Sequence, residues 1–232
     1  MRIFVDPARL VAGELAVAGD EHHYLGRVRR ARVGDRVELC DGAGRRANAT
    51  ILRISDAQTL LAVEPPQDIA ARPPLIRVLV PLIKGDRMDS CLEKLVEVGA
   101  DAIVVWPAAR SVVRLDDARR DARLAKYRAA MQAAARQCGR AQVPSIELAP
   151  DLATAIMGVT GVRIVLDPAS DAVIEAGDAT DVTIASGPEG GLASDELARL
   201  AAFTAAGLGP RILRAETAPV VAVALIRAAT RS

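Results

Sequence analysis

The first segment whose residue types could do chemistry is a loop with three glycines in five positions, ASGPEGGL at residues 185–192. Glycines at this density let the backbone approach a ligand closely, and Glu189 adds a carboxylate. The loop follows a short apolar segment, and ligands in parallel α/β sheets bind beyond the carboxyl ends of strands. An ordinary strand–helix turn is the alternative. The glycine spacing differs from G-x-G-x-x-G, so a dinucleotide site is not predicted.

A second segment, GLGPRILRAETA at residues 207–218, joins two glycines to an apolar stretch and a charged cluster. Arg214, Glu216 and Thr217 lie where the last helix is predicted to begin. A helix N-terminus beside such groups can bind an anion or orient a carboxylate. The alternative is a helix cap, in which Glu216 and Thr217 accept helix amides and Arg214 pairs with Glu216.

Together the two segments resemble the knot loops of the SPOUT methyltransferases, and in particular the family of 16S ribosomal RNA uridine-N3 methyltransferases. The resemblance extends over essentially the whole chain. It is carried by GPEGGL at 187–192, LGPRILRAETA at 208–218, QCGRAQVP at 137–144, KGDRM at 84–88, EKLVEVG at 93–99, RIFVDP at 2–7 and GDEHHYLGRVRRARVGD at 19–35. Arg136 departs from the pattern, because the family often has an acidic residue before this glutamine.

The resemblance implies a homodimeric enzyme that uses S-adenosylmethionine to methylate N3 of a uridine, on 16S rRNA or the small ribosomal subunit. It implies an α/β domain with a deep trefoil knot, preceded by a small PUA-like β-barrel that helps to hold RNA. The knot is expected to hold the cofactor, largely through backbone contacts. The expected cofactor-binding residues are Leu166, Gly187, Gly190, Gly191, Leu208, Gly209, Ile212, Leu213 and Ala218.

Three polar residues in or beside these loops are the predicted catalytic groups. Arg214 is expected to stabilise the negative charge that develops on the uridine when its N3 proton leaves. Glu189 and Glu216 are both candidates for removing or orienting that proton, and the sequence does not choose between them. Gln137 and Arg140 are expected to contact the RNA.

Positive charge is concentrated in two regions although the net charge is only +1. Residues 22–46 contain seven arginines and three acidic residues, and residues 110–140 contain nine basic and three acidic residues. This asymmetry favours a polyanionic partner, although solvated helix faces are the alternative. In the first region Arg27, Arg29, Arg30 and Arg32 are suited to phosphate contacts.

The elements that must position these residues divide at two Pro-Pro pairs, Pro65-Pro66 and Pro73-Pro74, which indicate a semi-rigid linker. Residues 1–70 contain short alternating segments and are predicted to form the small β-barrel. Asp20 is predicted to cap a short helix there. Residues 74–232 alternate buried strands with helices, which predicts an α/β domain with a largely parallel sheet.

Three elements of this second domain bear on the site. A long basic helix is predicted from Asp116 or Asp117 to Cys138. Ser194 is predicted to cap a helix that continues to Ala206, and a short strand is predicted at residues 211–213. The final helix is predicted over residues 217–229.

Composition narrows the remaining classes of function. The chain has 232 residues, of which 51% are hydrophobic and 2% aromatic, so a wall of stacking aromatics is not expected. Three separated cysteines without a CxxC pair argue against a disulfide framework or a metal site. Residues 1–7 do not read as a signal peptide, which predicts a cytoplasmic protein with no membrane association. A ribose 2′-O methyltransferase of the same superfamily and a non-catalytic RNA-binding assembly factor remain as alternatives.

Overall fold

The computed structural model describes residues 1–70, 72–111, 113 and 117–230. The chain divides into two compact units. One is Met1–Ala71 with Ala135–Val143, and the other is Arg72–Ala134 with Pro144–Ser232. The sequence boundary assigns residues 135–143 to the second domain, whereas these residues, which include Gln137 and Arg140, cluster with the first unit.

The first unit is built on one six-stranded sheet. Its strands are β1 (Arg2–Phe4), β2 (Gly13–Ala18), β3 (Arg36–Cys40), β4 (Arg45–Ile54), β5 (Gln58–Val63) and β6 (Gln67–Asp68). The order is β1-β3-β4-β5-β2, with β6 beside β4. Only β1 and β3 are parallel among these pairs. In β4 and β5 alternate side chains are buried, which is why the sheet can enclose a core on one face.

This core is aliphatic, as the scarcity of aromatic residues requires. It includes Ile3, Leu25, Leu39, Ile51 and Leu61, each at most 1% exposed. Helix α1 (Gly19–His23) follows β2 and continues as a π-helical turn over Tyr24–Val28. The predicted cap by Asp20 is wrong, because Ala18 is the N-cap residue and its side chain accepts no hydrogen bond from the helix amides.

The second unit contains a parallel six-stranded sheet. Its strands are β7 (Leu75–Pro81), β8 (Ala102–Trp106), β9 (Ser145–Leu148), β10 (Val162–Leu166), β11 (Asp181–Ala185) and β12 (Thr204–Ala206). The order is β12-β10-β11-β7-β8-β9. Every pairing is parallel, so all six strands end at the same edge of the sheet. The predicted α/β class with a smaller N-terminal β-unit is confirmed.

The helices of the second unit are α2 (Asp86–Val98), α3 (Arg120–Cys138), α4 (Leu152–Ala155), α5 (Ser194–Arg199) and α6 (Ala218–Ala229). The last residues of α3 cluster with the first unit. A 3₁₀ turn over Asp117–Arg119 precedes α3, and Asp116 lies outside the described residues. Within the described part of the chain, no helix combines the length and apolarity needed to cross a membrane.

Two predictions near the site are wrong. The helix that starts at Ser194 ends at Arg199 rather than Ala206, and the residues that follow form strand β12. The predicted strand at residues 211–213 is absent, and those residues belong to a loop. The physical reason is register: Thr204–Ala206 pairs with Ile164–Leu166, so tertiary pairing overrides the helix propensity of an alanine-rich segment.

Candidate active site

Three loops meet at one edge of the parallel sheet and surround a cavity of about 860 Å³. The first follows β10, the second follows β11, and the third follows β12 and extends to α6. They are neighbours because β10 lies between β11 and β12, and all three strands run in the same direction. This is the carboxyl-edge position at which α/β sheets bind ligands.

Most of the site residues predicted from the sequence line the cavity. All nine expected cofactor-binding residues line it, together with Glu189 and Arg214. Apolar side chains that the sequence analysis did not name, among them Leu192 and Phe203, also line it. The side chain of Ile212 is largely exposed, at 85%. Glu216 is not a lining residue.

The first and third loops are joined by backbone contacts. The amide of Asp167 donates to the carbonyl of Ala206 at 3.0 Å, and the amide of Gly207 donates to the carbonyl of Ala172 at 2.8 Å. The hydroxyl of Ser170 donates to the carbonyl of Ala205 at 3.2 Å. A Cβ at Gly207 would lie 2.0 Å from the carbonyl oxygen of Ser170, so this approach requires glycine.

The second loop is held by a neighbouring segment that sequence reasoning missed. The guanidinium of Arg110 donates to the carbonyl of Gly190 at 2.9 Å. A Cβ at Gly190 would lie 3.1 Å from Cβ of Arg110, so the two segments are tightly packed. Arg110 therefore restrains the glycine-rich loop from outside.

Glu196 connects the start of α5 to the segment that contains Arg110. Its carboxylate is buried and accepts the backbone amides of Ala193 and Ala109, each at 2.7 Å. Glu196 is not among the site residues predicted from the sequence. Glu196 lies three residues after the N-cap residue Ala193, but alanine cannot form the other half of a capping box, so the sequence carries no capping-box signal that would identify Glu196.

Arg214 lies on the cavity wall with an exposed side chain. Among the described residues, its guanidinium makes no hydrogen bond or ion pair. Its carbonyl accepts the amides of Thr217 and Ala218, which starts α6. Thr217 is the N-cap residue but provides no side-chain cap. The capping alternative, with Arg214 paired to Glu216, is therefore not what the structure shows.

The two candidate carboxylates share a cation that the sequence analysis quoted only within a motif. Nη1 of Arg87 lies 2.6 Å from Oε1 of Glu189 and 3.9 Å from Oε2 of Glu216. Glu189 is about as exposed as Arg87, at 41% and 40% of the side chain, whereas Glu216 is 16% exposed. The two carboxylates therefore differ in how far solvent or a substrate can reach them.

The predicted RNA-contact residues lie in the first unit. Arg27, Arg29, Arg30, Arg32 and Gln137 are exposed, and Arg140 is half-buried. Arg30 has a φ of 52°, a left-handed conformation that is uncommon for residues other than glycine.

Arg136, at the position that departs from the family pattern, forms an ion pair with Glu21. Its guanidinium carbon lies 5.1 Å from the ring centroid of Tyr24, within cation–π range. Burial raises the pKa of the Glu21 carboxyl, and Arg136 opposes that rise. Arg136 thus has a structural role within the first unit.

Comparison with known proteins finds similarity to RNA methyltransferases along nearly the whole chain. A family model described as an RNA methyltransferase domain matches residues 71–227, and one described as an RNA methyltransferase PUA domain matches residues 17–64. The ribosomal RNA small subunit methyltransferase E of Mycobacterium bovis is 32% identical, over 97% of this chain and 90% of its own length. The Bacillus subtilis protein of the same name is 29% identical, over 93% and 90%.

A solved structure agrees with this architecture. The crystal structure of ribosomal RNA small subunit methyltransferase E from Neisseria gonorrhoeae, bound to S-adenosyl methionine, has a TM-score of 0.87 to this chain. The two are 25% identical, and the match covers 98% of this chain and 97% of that one.

Proposed function

The chain belongs to the ribosomal RNA small subunit methyltransferase E family of RNA methyltransferases, and from that premise we propose that it methylates N3 of a uridine in 16S rRNA with S-adenosylmethionine. The observation that carries the proposal is the cavity itself. It brings together the nine expected cofactor-binding residues, a cation and a carboxylate.

The cavity fits S-adenosylmethionine in size and in chemistry. Its volume lies within the range of about 300–1,000 Å³ that small-molecule sites occupy. Apolar side chains such as Leu192 and Phe203 can cover a purine, and three loops offer backbone donors and acceptors to its edges and to ribose hydroxyls. Asp167 and Glu189 offer negative charge to the cationic parts of the molecule.

When bound, S-adenosylmethionine supplies a sulfonium methyl group: the sulfur–methyl bond breaks, the N3–methyl bond forms, the N3 proton leaves, and S-adenosylhomocysteine is released. The protein's main contribution is alignment, since two reactants must be held within near-attack distance. N3 lies inside a normal base pair, so the uridine must be unpaired or flipped out to react.

Arg214 is the residue assigned to charge stabilisation. Its guanidinium lies on the cavity wall without a partner among the described residues, and it can donate to a uracil carbonyl oxygen, on which charge accumulates once N3 is deprotonated. A carboxylate, Glu189 or Glu216, accepts or directs the proton. The exposed arginines at positions 27, 29, 30 and 32 contact phosphates, and Gln137 and Arg140 also contact the RNA.

A methyl-transfer assay tests the proposal. Small ribosomal subunits and naked 16S rRNA, each lacking the modification, are incubated with the protein and methyl-labelled cofactor, and the RNA is digested to nucleosides. We expect labelled N3-methyluridine. Labelled 2′-O-methyl nucleosides would instead identify a ribose methyltransferase. A protein that binds RNA but neither binds the cofactor nor transfers a methyl group would be an assembly factor.

We also propose that the enzyme is a homodimer that acts in the cytoplasm, where its ribosomal substrate is found, and that its loops form the knot of the SPOUT fold. Helix α6 supports the dimer, because Leu225 is 48% exposed on a helix whose opposite face already packs in the unit. Light scattering at micromolar concentration is expected to give the mass of two chains. An active monomer would contradict the dimer.

A further inference from the structure

Arg87 occupies a position that helix stability does not explain. It lies in the first turn of α2, where the helix dipole favours negative rather than positive charge. Its side chain turns instead toward the site, where Nη1 lies 2.6 Å from Oε1 of Glu189. The cation is therefore better explained by the carboxylates that it meets than by its own helix.

The contacts of Arg87 join loops that come from different strands. Arg87 follows β7, Glu189 lies in the loop after β11, and Glu216 ends the loop after β12. Oε2 of Glu216 lies 3.9 Å from the same Nη1. This oxygen is buried and makes no hydrogen bond with the described residues, so Arg87 is its nearest counter-charge among them. One guanidinium nitrogen of Arg87 therefore lies within ion-pair distance of both carboxylates.

The two carboxylates are not equivalent toward the cavity. Glu189 lines it and its side chain is 41% exposed, so this carboxylate is accessible from the cavity. Glu216 does not line the cavity, and its burial makes it a partner that holds Arg87 in place. The geometry thus gives one carboxylate access to the substrate and the other a supporting position.

Resting on the proposed function, we infer that Arg87 is a positioning residue that ties the second and third loops together and orients Glu189 as the acceptor of the uridine N3 proton. The in-plane N3 proton and the incoming methyl group occupy the same position on the ring. The proton must therefore leave first, and its acceptor must stay beside the line of methyl approach. A carboxylate tethered by a guanidinium meets that requirement, whereas a freely rotating one does not.

The test compares Arg87→Gln and Arg87→Lys with the matched control Lys94→Gln. Lys94 is a cation on the same helix that pairs with Glu97 on the exposed face, at 2.9 Å. We expect Arg87→Gln to lower kcat by about 10²-fold, the scale of lost proton-transfer catalysis. KM for the RNA should change less than about threefold, because the RNA-contact residues are elsewhere. Arg87→Lys should recover part of kcat, and Lys94→Gln should match the wild type.

A double-mutant cycle identifies the carboxylate through which Arg87 acts. In the Glu189→Gln background, adding Arg87→Gln should cost less than about threefold further in kcat. In the Glu216→Gln background the cost of Arg87→Gln should persist. The reverse pattern would overturn the assignment to Glu189.

Two further results separate this inference from the proposed function. If wild-type protein binds S-adenosylmethionine and methylates uridine N3, but Arg87→Gln performs like Lys94→Gln, the inference is wrong and the function stands. If the wild type itself forms no N3-methyluridine, the function fails. Thermal melting of each variant identifies any loss of kcat that comes from unfolding. If Arg87→Lys melts like the wild type but recovers no kcat, positioning by charge is contradicted as well.

Discussion

Arg214 is the residue whose replacement tests the proposed chemistry most directly, because its side chain reaches the cavity with no partner among the described residues. We expect Arg214→Ala to lower turnover by about 10²-fold, as when one preorganised donor is removed. Cofactor affinity should stay near that of the wild type, since the loss is felt in the transition state. Arg214→Lys should recover only part, because lysine lacks the planar fork. Single-turnover methylation and calorimetry measure the two effects.

The melting temperature of Arg214→Ala serves as the control for that prediction. The guanidinium has no hydrogen-bond or ion-pair partner within the described part of the chain, so the variant should melt close to the wild type. Near-normal turnover in a folded Arg214→Ala protein would contradict the catalytic assignment.

The three cysteines should differ sharply in reactivity. Cys40 and Cys91 are buried, and burial raises the pKa of the Cys40 thiol to about 11 and that of Cys91 to about 12. Because only the thiolate is nucleophilic, and raised pKa values leave these thiols protonated at pH 8, both should resist alkylation in the folded protein. Cys138 is exposed at the end of α3 and should react.

Mass spectrometry after treatment with iodoacetamide at pH 8 checks this: one alkylated cysteine is expected in the native protein and three after denaturation. Rapid labelling of Cys91 in the folded state would contradict this prediction and would show that the buried face of α2 becomes exposed to solvent.

At the scale of elements, the third loop is the part of the site that depends most on a close backbone approach. Gly207→Ala would place a Cβ 2.0 Å from the carbonyl oxygen of Ser170, so the loop or its neighbour must move. We expect S-adenosylmethionine affinity to fall by about tenfold or more, because displacing the loop by even 1 Å misplaces its binding groups. Isothermal titration calorimetry measures it.

Gly26→Ala is the matched control for this steric prediction. A Cβ at Gly26 would meet nothing within 4 Å, and its φ is not in the left-handed range. Cofactor affinity of this variant should equal that of the wild type. Equal affinity in Gly207→Ala would mean that the first and third loops adjust independently.

Comparison of individual strands shows where the local sequence is sufficient to predict secondary structure. Strands β7, β8, β10 and β11 are predominantly apolar runs, and such runs predict the buried strands of an α/β domain because they indicate burial on both faces. Strand β12 was not predicted, because TAA reads as helix and becomes a strand only when Ile164–Leu166 offers an edge. The correct loop was identified nevertheless, since its residues were recognised by type rather than by their element.

At the scale of the whole molecule, the division between RNA binding and cofactor binding can be tested with one variant. Replacing Arg29, Arg30 and Arg32 together with alanine should weaken RNA binding and reduce the salt dependence of affinity, by up to about one unit of slope per lost phosphate contact. Filter binding over a salt series measures this change. S-adenosylmethionine affinity should remain unchanged, because these arginines and the cavity belong to different units. Equal losses in both affinities would contradict the division.

The α/β class, the smaller N-terminal β-unit and the loops that carry the site could all be predicted from the amino-acid sequence. These predictions are possible because buried strands, glycine-rich turns and charged helix starts are local patterns, and because the motifs at 187–192 and 208–218 are specific to a family. All nine residues expected around the cofactor line the same cavity, although their individual roles stay predictions.

The contacts between side chains that are distant in the sequence could not be predicted and became visible in the fold. Arg87 and Glu189 are 102 residues apart in the chain, and no local pattern links them. The same holds for the hydrogen bond between Glu196 and Ala109 and for the one between Arg110 and Gly190. It also holds for residues 135–143, which include the last residues of α3 and cluster with the first unit. These contacts depend on strand order and helix packing, which are set by burial over the whole core rather than by any one segment.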